Sequence, residues 1–236
     1  MSEIIFVRHG QASFGKASYD KLSELGLEQV QHLARYWSDL GETFDQIYVG
    51  SLRRQKETAK ELLTLVRSNP PLLHVDGAFN EYNGDPLIRI YLRDFAYKEG
   101  LITSIDMPIT DERLFQSVFE KATSKWLSDQ LVPNKADSDF ESWESFKRRV
   151  YRGVDEIMSK HIQGSRTLVS TSGGVIATAL QRVLKFPDEQ VIQTNWMVHN
   201  SSITRIRYGN GRMSVKQFNS LPHLERKGMT ELITYR

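Results

Sequence analysis

Three short apolar runs, each ending in a polar, glycine-bearing corner and each leading into an amphipathic stretch, constrain this chain more than any other feature. Ile4 to Val7 is the first, a continuous apolar run of the kind a strand buried on both faces shows. Ser23 then reads as an N-cap, and Leu27, Val30, Leu33, Ala34 and Trp37 recur at helical spacing until Gly41 interrupts them. Gln46 to Val49 is the second strand. The helix after it carries Ala59, Leu62, Leu63 and Val66 on one face and should run to Asn69-Pro70-Pro71, because proline cannot continue a helix. Leu72 to Val75 reads as a further short strand, and Thr167 to Ser170 is the third of the apolar runs. Strands that alternate with helices through short connections predict right-handed crossovers around a mostly parallel sheet. The expected fold is therefore α/β, a three-layer α/β/α sandwich.

Between about residues 84 and 139 the rhythm stops. Tyr91, Leu92, Phe95 and Tyr97 suggest a helix, but no clean alternation follows, so the stretch reads as an inserted cap segment covering one end of the sheet. The whole chain, 1–236, is then a single domain with that insertion. Regularity returns with Trp143, Phe146, Val150, Val154 and Ile157 on one helix face, before the strand at Thr167. Ser202–Tyr208 and Arg212–Phe218 flank Gly209-Asn210-Gly211, whose Asn-Gly pair favours a hairpin turn.

Composition removes several kinds of chemistry. The chain has no cysteine, which excludes disulfides, thiolate metal sites and cysteine nucleophiles. Its six histidines show no paired ligand spacing, so no metal and no cofactor are expected. With a net charge of +2, its densest basic run is Lys147-Arg148-Arg149 with Arg152, which falls on an amphipathic helix and reads as a solvated face rather than a nucleic-acid surface. No stretch approaches the roughly 20 apolar residues of a membrane span. The start, Met-Ser-Glu followed by Ile4, has no basic and apolar leader, so a cytoplasmic location is expected, with neither nucleic acid nor membrane as partner.

In parallel α/β sheets ligands bind beyond the carboxyl ends of the strands. Here those ends are Arg8-His9-Gly10-Gln11, Gly50-Ser51-Leu52-Arg53-Arg54 and Thr171-Ser172-Gly173-Gly174. Arginine forks, a histidine and a glycine-opened helix N-terminus gathered at one end suit a phosphate. These residues resemble the histidine phosphatase superfamily of phosphoglycerate mutase-like proteins. The resemblance rests on Arg8-His9-Gly10 after the first strand, Leu22-Ser23-Glu24-Leu25-Gly26 at the next helix and Arg54 four residues before Thr58-Ala59. Phe79-Asn80-Glu81-Tyr82, Phe218-Asn219 and His223-Leu224 extend it.

What the resemblance implies is a phosphomonoesterase working through a phosphohistidine at His9. Arg8 and Arg54 would grip the phosphoryl oxygens and Glu81 would be the general acid, with Gln11, Ser13, Ser172 and Gly173 as further phosphate contacts. The substrate would be a small phosphorylated molecule. The chain departs from the pattern in two places. Ser172 stands where most active members have a second histidine, which leaves Ser172, His199 and His223 as candidates for its role. Ala12-Ser13-Phe14-Gly15 lacks an asparagine that many members use to touch phosphate, with Ser13 as the substitute. Two other readings stay open: a phosphoglycerate mutase, and a noncatalytic phospholigand-binding protein. A serine hydrolase built on Ser172 is disfavoured, because Ser170 occupies the first glycine position of the nucleophile elbow.

Overall fold

The computed structural model describes residues 1–13, 20–101, 109, 111–160 and 164–235. The strands are β1 (Ser2–Arg8), β2 (Gln46–Val49), β3 (Leu73–Val75), β4 (Arg166–Thr171), β5 (Ile203–Gly209) and β6 (Arg212–Ser220). The helices are α1 (Glu24–Asp39), α2 (Arg53–Leu62), α3 (Gly84–Tyr91), α4 (Glu112–Leu127), α5 (Trp143–Lys160), α6 (Gly173–Leu184) and α7 (Asp188–Met197). All six strands form one sheet in the order β3-β2-β4-β1-β5-β6. β3, β2, β4 and β1 are mutually parallel, while β5 and β6 run antiparallel at the other edge. This is the expected mostly parallel α/β sheet flanked by helices.

The chain divides into two compact units, residues 1–81 with 149–236, and residues 82–148. In the first, Ile4, Ile5, Phe6 and Val7 are fully buried, as an apolar run covered on both faces requires. One layer of the core packs Ile5, Val7, Leu33, Ile47 and Leu62 around Trp37, whose ring meets Phe44 edge-on at 5.0 Å. Ser23 caps α1 as expected, its hydroxyl accepting from the Gly26 N–H at 2.9 Å. α2 ends earlier than its apolar face suggested. A single 3-10 turn follows at Leu63–Leu65, because Val66 goes extended to pair with Phe44. The β5–β6 hairpin turns at Asn210 and Gly211, with φ of +50° and +70°, the left-handed pair that its Asn-Gly sequence favours.

In the second unit, α3 continues into a π-helical turn at Leu92–Ala96. Asp137, its side chain almost wholly buried, accepts from Arg89 Nε and Arg93 Nη1, both at 2.8 Å, and from the Asn134 N–H at 3.0 Å. These bonds to charged and backbone donors hold its carboxyl down at about 2. Trp126 packs among Tyr82, Trp143 and Phe146 and donates its indole N–H to Glu141 O at 2.8 Å. The sequence reading gave no sign of α4 or α7. α7 buries only Val191 and Ile192, so it has no apolar stripe to betray it.

Candidate active site

The parallel strands stop level with one another. Ser170 of β4 lies between Val7 of β1 and Val49 of β2, and Thr171 lies opposite Arg8. The corners after β1, β2 and β4 therefore emerge side by side, and all the residues discussed below belong to the first unit.

His9 is buried, 6% exposed, and every backbone group around it has a dedicated partner. Its N–H donates to Thr171 O at 2.9 Å, and its carbonyl accepts from Ser201 N at 3.2 Å and Asn200 Nδ2 at 3.3 Å. The Gly10 N–H donates to Thr58 Oγ1 at 3.2 Å and the Gln11 N–H to Gln29 Oε1 at 2.9 Å. Gly10 and Gly26 explain each other. A Cβ on Gly10 would stand 2.2 Å from Gly26 O, and one on Gly26 would stand 2.1 Å from Gln11 O, so two backbones touch where any side chain would intrude.

The imidazole has a defined tautomer. Nδ1 lies 2.7 Å from Gly10 O, which can only accept, so Nδ1 carries the hydrogen. In a neutral ring the lone pair is then on Nε2. Arg54 Nε, which can only donate, lies 3.1 Å from that atom. Burial, then the Arg54 and Arg8 charges, hold the His9 pKa well below the ordinary histidine value against the opposing bond to Gly10. The ring therefore stays unprotonated through neutral pH.

Arg54 is fixed from its other side as well. Its Nη1 donates to Asp20 Oδ1 at 2.7 Å, while Asp20 Oδ2 accepts from the Arg53 N–H at 2.8 Å at the start of α2. Arg8 Nη1 donates to Val198 O, in the loop that Asn219 buttresses with bonds to His199 N (2.7 Å) and Met197 O (2.7 Å). Glu81 Oε2 accepts from the Gly174 N–H at 3.0 Å, so a carboxylate caps the N-terminus of α6. Ser172 occupies the N-cap position without capping. Its hydroxyl instead accepts from Gln55 Nε2 at 2.9 Å. A Cβ on Gly173 would stand 2.2 Å from Asn195 Oδ1, so the Asn195 side chain lies over this residue.

Two of the expected phosphate contacts are engaged within their own loop. Ser13, buried, donates its hydroxyl to Leu22 O at 3.1 Å, and Gln11 Oε1 accepts from Ser23 Oγ at 2.8 Å. Residues 14–19, including Phe14 and Gly15 of the divergent segment, lie outside the described residues. His199 and His223 have partners of their own. His199 Nδ1 accepts from Asn219 Nδ2 at 2.9 Å while its ring lies 4.1 Å from that of Tyr235. His223 pairs through Nε2 with Ser201 Oγ at 2.9 Å, and burial pushes its pKa down to about 3.

Sequence reasoning missed Asp20, Gln29, Gln55, Asn200 and Arg149. Arg149 departs from the solvated basic face expected of 147–152. Arg149 Nη1 donates to the carbonyls of Gly77, Ala78 and Asn80 at 3.1, 3.1 and 2.8 Å, bracing the turn that ends at Glu81. The only signal for it was its place one residue before the buried Val150.

Comparison with known proteins gives the family. The model of the histidine phosphatase superfamily (branch 1) matches residues 4–85 and 105–221, and the chain belongs to that superfamily. A 2,3-bisphosphoglycerate-dependent phosphoglycerate mutase of Parvibaculum lavamentivorans is 22% identical over 204 residues, 81% of this chain and 84% of that one. The crystal structure of a phosphoglycerate mutase from Bacillus anthracis has the same fold, with a TM-score of 0.64, 20% identity and 94% of each chain covered. So does a phosphoserine phosphatase of Entamoeba histolytica in complex with phosphoserine, with a TM-score of 0.62 and 18% identity over 95% of this chain and all of that one. Among the described residues no helix is long and apolar enough to cross a membrane.

Proposed function

We propose that this chain is a phosphomonoesterase that transfers the phosphoryl group of a small phosphorylated substrate to His9 and then to water. One observation carries the reading. The lone pair of a neutral, buried imidazole is presented at Nε2, the atom that Arg54 already addresses, so nucleophile and phosphate-binding cation share one point. Arg54 Nε–H would exchange His9 for a nonbridging oxygen as the substrate arrives. Arg8 adds a second guanidinium, and together they align phosphorus for in-line attack and offset its charge. Nε2 bonds to phosphorus as the ester P–O bond breaks, and the protonated form of Glu81 gives its proton to the leaving alkoxide. Gly174 binds Glu81 through Oε2, so in that form the proton would sit on Oε1. The resulting carboxylate then takes a proton from water as that water attacks phosphorus. Cleavage of the P–N bond returns neutral His9 with its hydrogen still on Nδ1.

A mutase would use the same steps up to the phosphohistidine and return the phosphoryl group to the substrate instead of to water. A mutase is the second reading, supported by the Parvibaculum relative. The test is a panel of phosphorylated metabolites with p-nitrophenyl phosphate and 3-phosphoglycerate, assayed with wild type and His9→Ala. Release of inorganic phosphate that depends on His9 supports the phosphatase. Isomerisation of 3-phosphoglycerate without net release supports the mutase, and phosphate-ester binding with no turnover by wild type on any substrate leaves a phospholigand-binding protein.

A further inference from the structure

We propose that Gln55 is a positioning residue for the Ser172 hydroxyl, holding its acceptor side so that its proton is directed at a nonbridging oxygen of a phosphoryl group seated at His9. This rests on the reading of the site as a phosphate site. A serine at an N-cap ordinarily turns its oxygen to a backbone N–H of the first helical turn, and Ser172 does not. Glu81 caps Gly174 instead, so the serine hydroxyl is not needed for the helix start. Ser172 is buried, its Oγ accepts from Gln55 Nε2, and among the described residues nothing accepts its own hydrogen. A buried hydroxyl in that state is a donor held ready for a ligand.

The direction of the Gln55 amide is settled by its partners. Phe79 O can only accept, so the atom 2.9 Å from it is nitrogen, and the second hydrogen of that nitrogen goes to Ser172. Thr171 Oγ1 donates to the same Phe79 carbonyl at 2.6 Å, which fills both of its lone pairs and fixes the fork. Gln55 Oε1 faces Gly50, where a Cβ would lie 1.9 Å from it, and this buried oxygen has no hydrogen-bond partner among the described residues. The polar role of a wholly buried side chain therefore falls to its nitrogen. The placement fits a ligand at His9. Thr171 O holds the His9 N–H, Ser172 is the next residue, and Glu81 sits on the helix that Ser172 begins.

The test is a double-mutant cycle of wild type, Gln55→Leu, Ser172→Ala and the double variant, read as the Kd for inorganic phosphate by titration calorimetry. Each single variant should weaken binding about fivefold, the size of one net hydrogen bond, and the double should be no weaker than Ser172→Ala. Gln55→Met, which keeps the length of the side chain and removes its amide hydrogens, should weaken phosphate binding when added to wild type and have no effect when added to Ser172→Ala, and it stands in if Gln55→Leu does not fold. Losses that multiply in the double variant, no effect of Gln55→Leu on wild type, or no phosphate binding by wild type would each overturn the proposal. Turnover of p-nitrophenyl phosphate by the same proteins separates this from the broader reading. Coupling without turnover sinks the hydrolase and keeps Gln55, whereas turnover without coupling does the reverse.

Discussion

The corner after β1 and the corner after β4 are built on the same backbone plan, a parallel strand running into a tight turn, yet they fix their polar groups differently. After β1, His9 is oriented by its neighbour Gly10, and the turn is held by Thr58 and by the contact of Gly10 with Gly26. After β4, Ser172 depends on Gln55, and the helix start depends on Glu81, 117 and 93 residues away in sequence. The difference teaches that a corner stabilised by backbone acceptors and glycine contacts tolerates little change. The β4 corner rests on single side-chain contacts from distant segments, each of which one substitution removes without touching the backbone.

Substitutions of the side chains that reach each corner should therefore differ in severity, and Arg54, at the start of α2, is the one that reaches the ring of the β1 corner. Arg54→Ala removes both the contact to Nε2 and the cation that Asp20 aims, and should lower kcat/KM for p-nitrophenyl phosphate by on the order of 10²- to 10³-fold. A drop comparable to the smaller one expected for Ser172→Ala would erase the contrast between the corners. Glu81→Gln should reduce turnover of an alkyl phosphate by about 10²-fold and of p-nitrophenyl phosphate far less, because an activated leaving group needs little protonation. Equal losses on both substrates would assign Glu81 to holding α6 rather than to proton transfer.

Much of the β1 corner was legible in the sequence because its motif is its geometry. Arg8-His9-Gly10, the Gly26 of the following helix and the Thr-Ala pair are each required by a backbone approach or a short hydrogen bond. The strands were legible for a similar reason, since an unbroken apolar run leaves a buried parallel strand few alternatives. The β4 corner was not. A serine before two glycines is also an ordinary N-cap pattern, and a helical glutamine such as Gln55 gives no sign that both of its amide hydrogens are committed across the sheet. Gln29 and Asn200, which tie Gln11 and the His9 carbonyl to Thr234, were hidden likewise, because their partners lie as many as 205 residues away.

The smallest expected effect concerns the two buried histidines behind the β1 corner. The folded-state pKa values of His9 and His223 lie below the unfolded value of 6.5, so below that pH the unfolded chain binds protons that the folded chain refuses. Stability should be insensitive to these groups above about pH 7 and fall as the pH drops. His223→Gln should flatten that fall by about 1.4 kcal/mol per pH unit between roughly pH 5 and 4, read from urea unfolding across the range. An unchanged slope would mean that His223 takes up its proton in the folded protein.

The central claim is that His9 Nε2 receives the phosphoryl group. Wild type mixed with labelled phosphoester, quenched in alkali within the first turnover and digested, should yield an acid-labile phosphopeptide containing His9 with phosphorus on Nε2, and His9→Ala should yield none. Label on Ser172, label on Nδ1, or turnover by wild type with no labelled protein at any quench time would contradict the account.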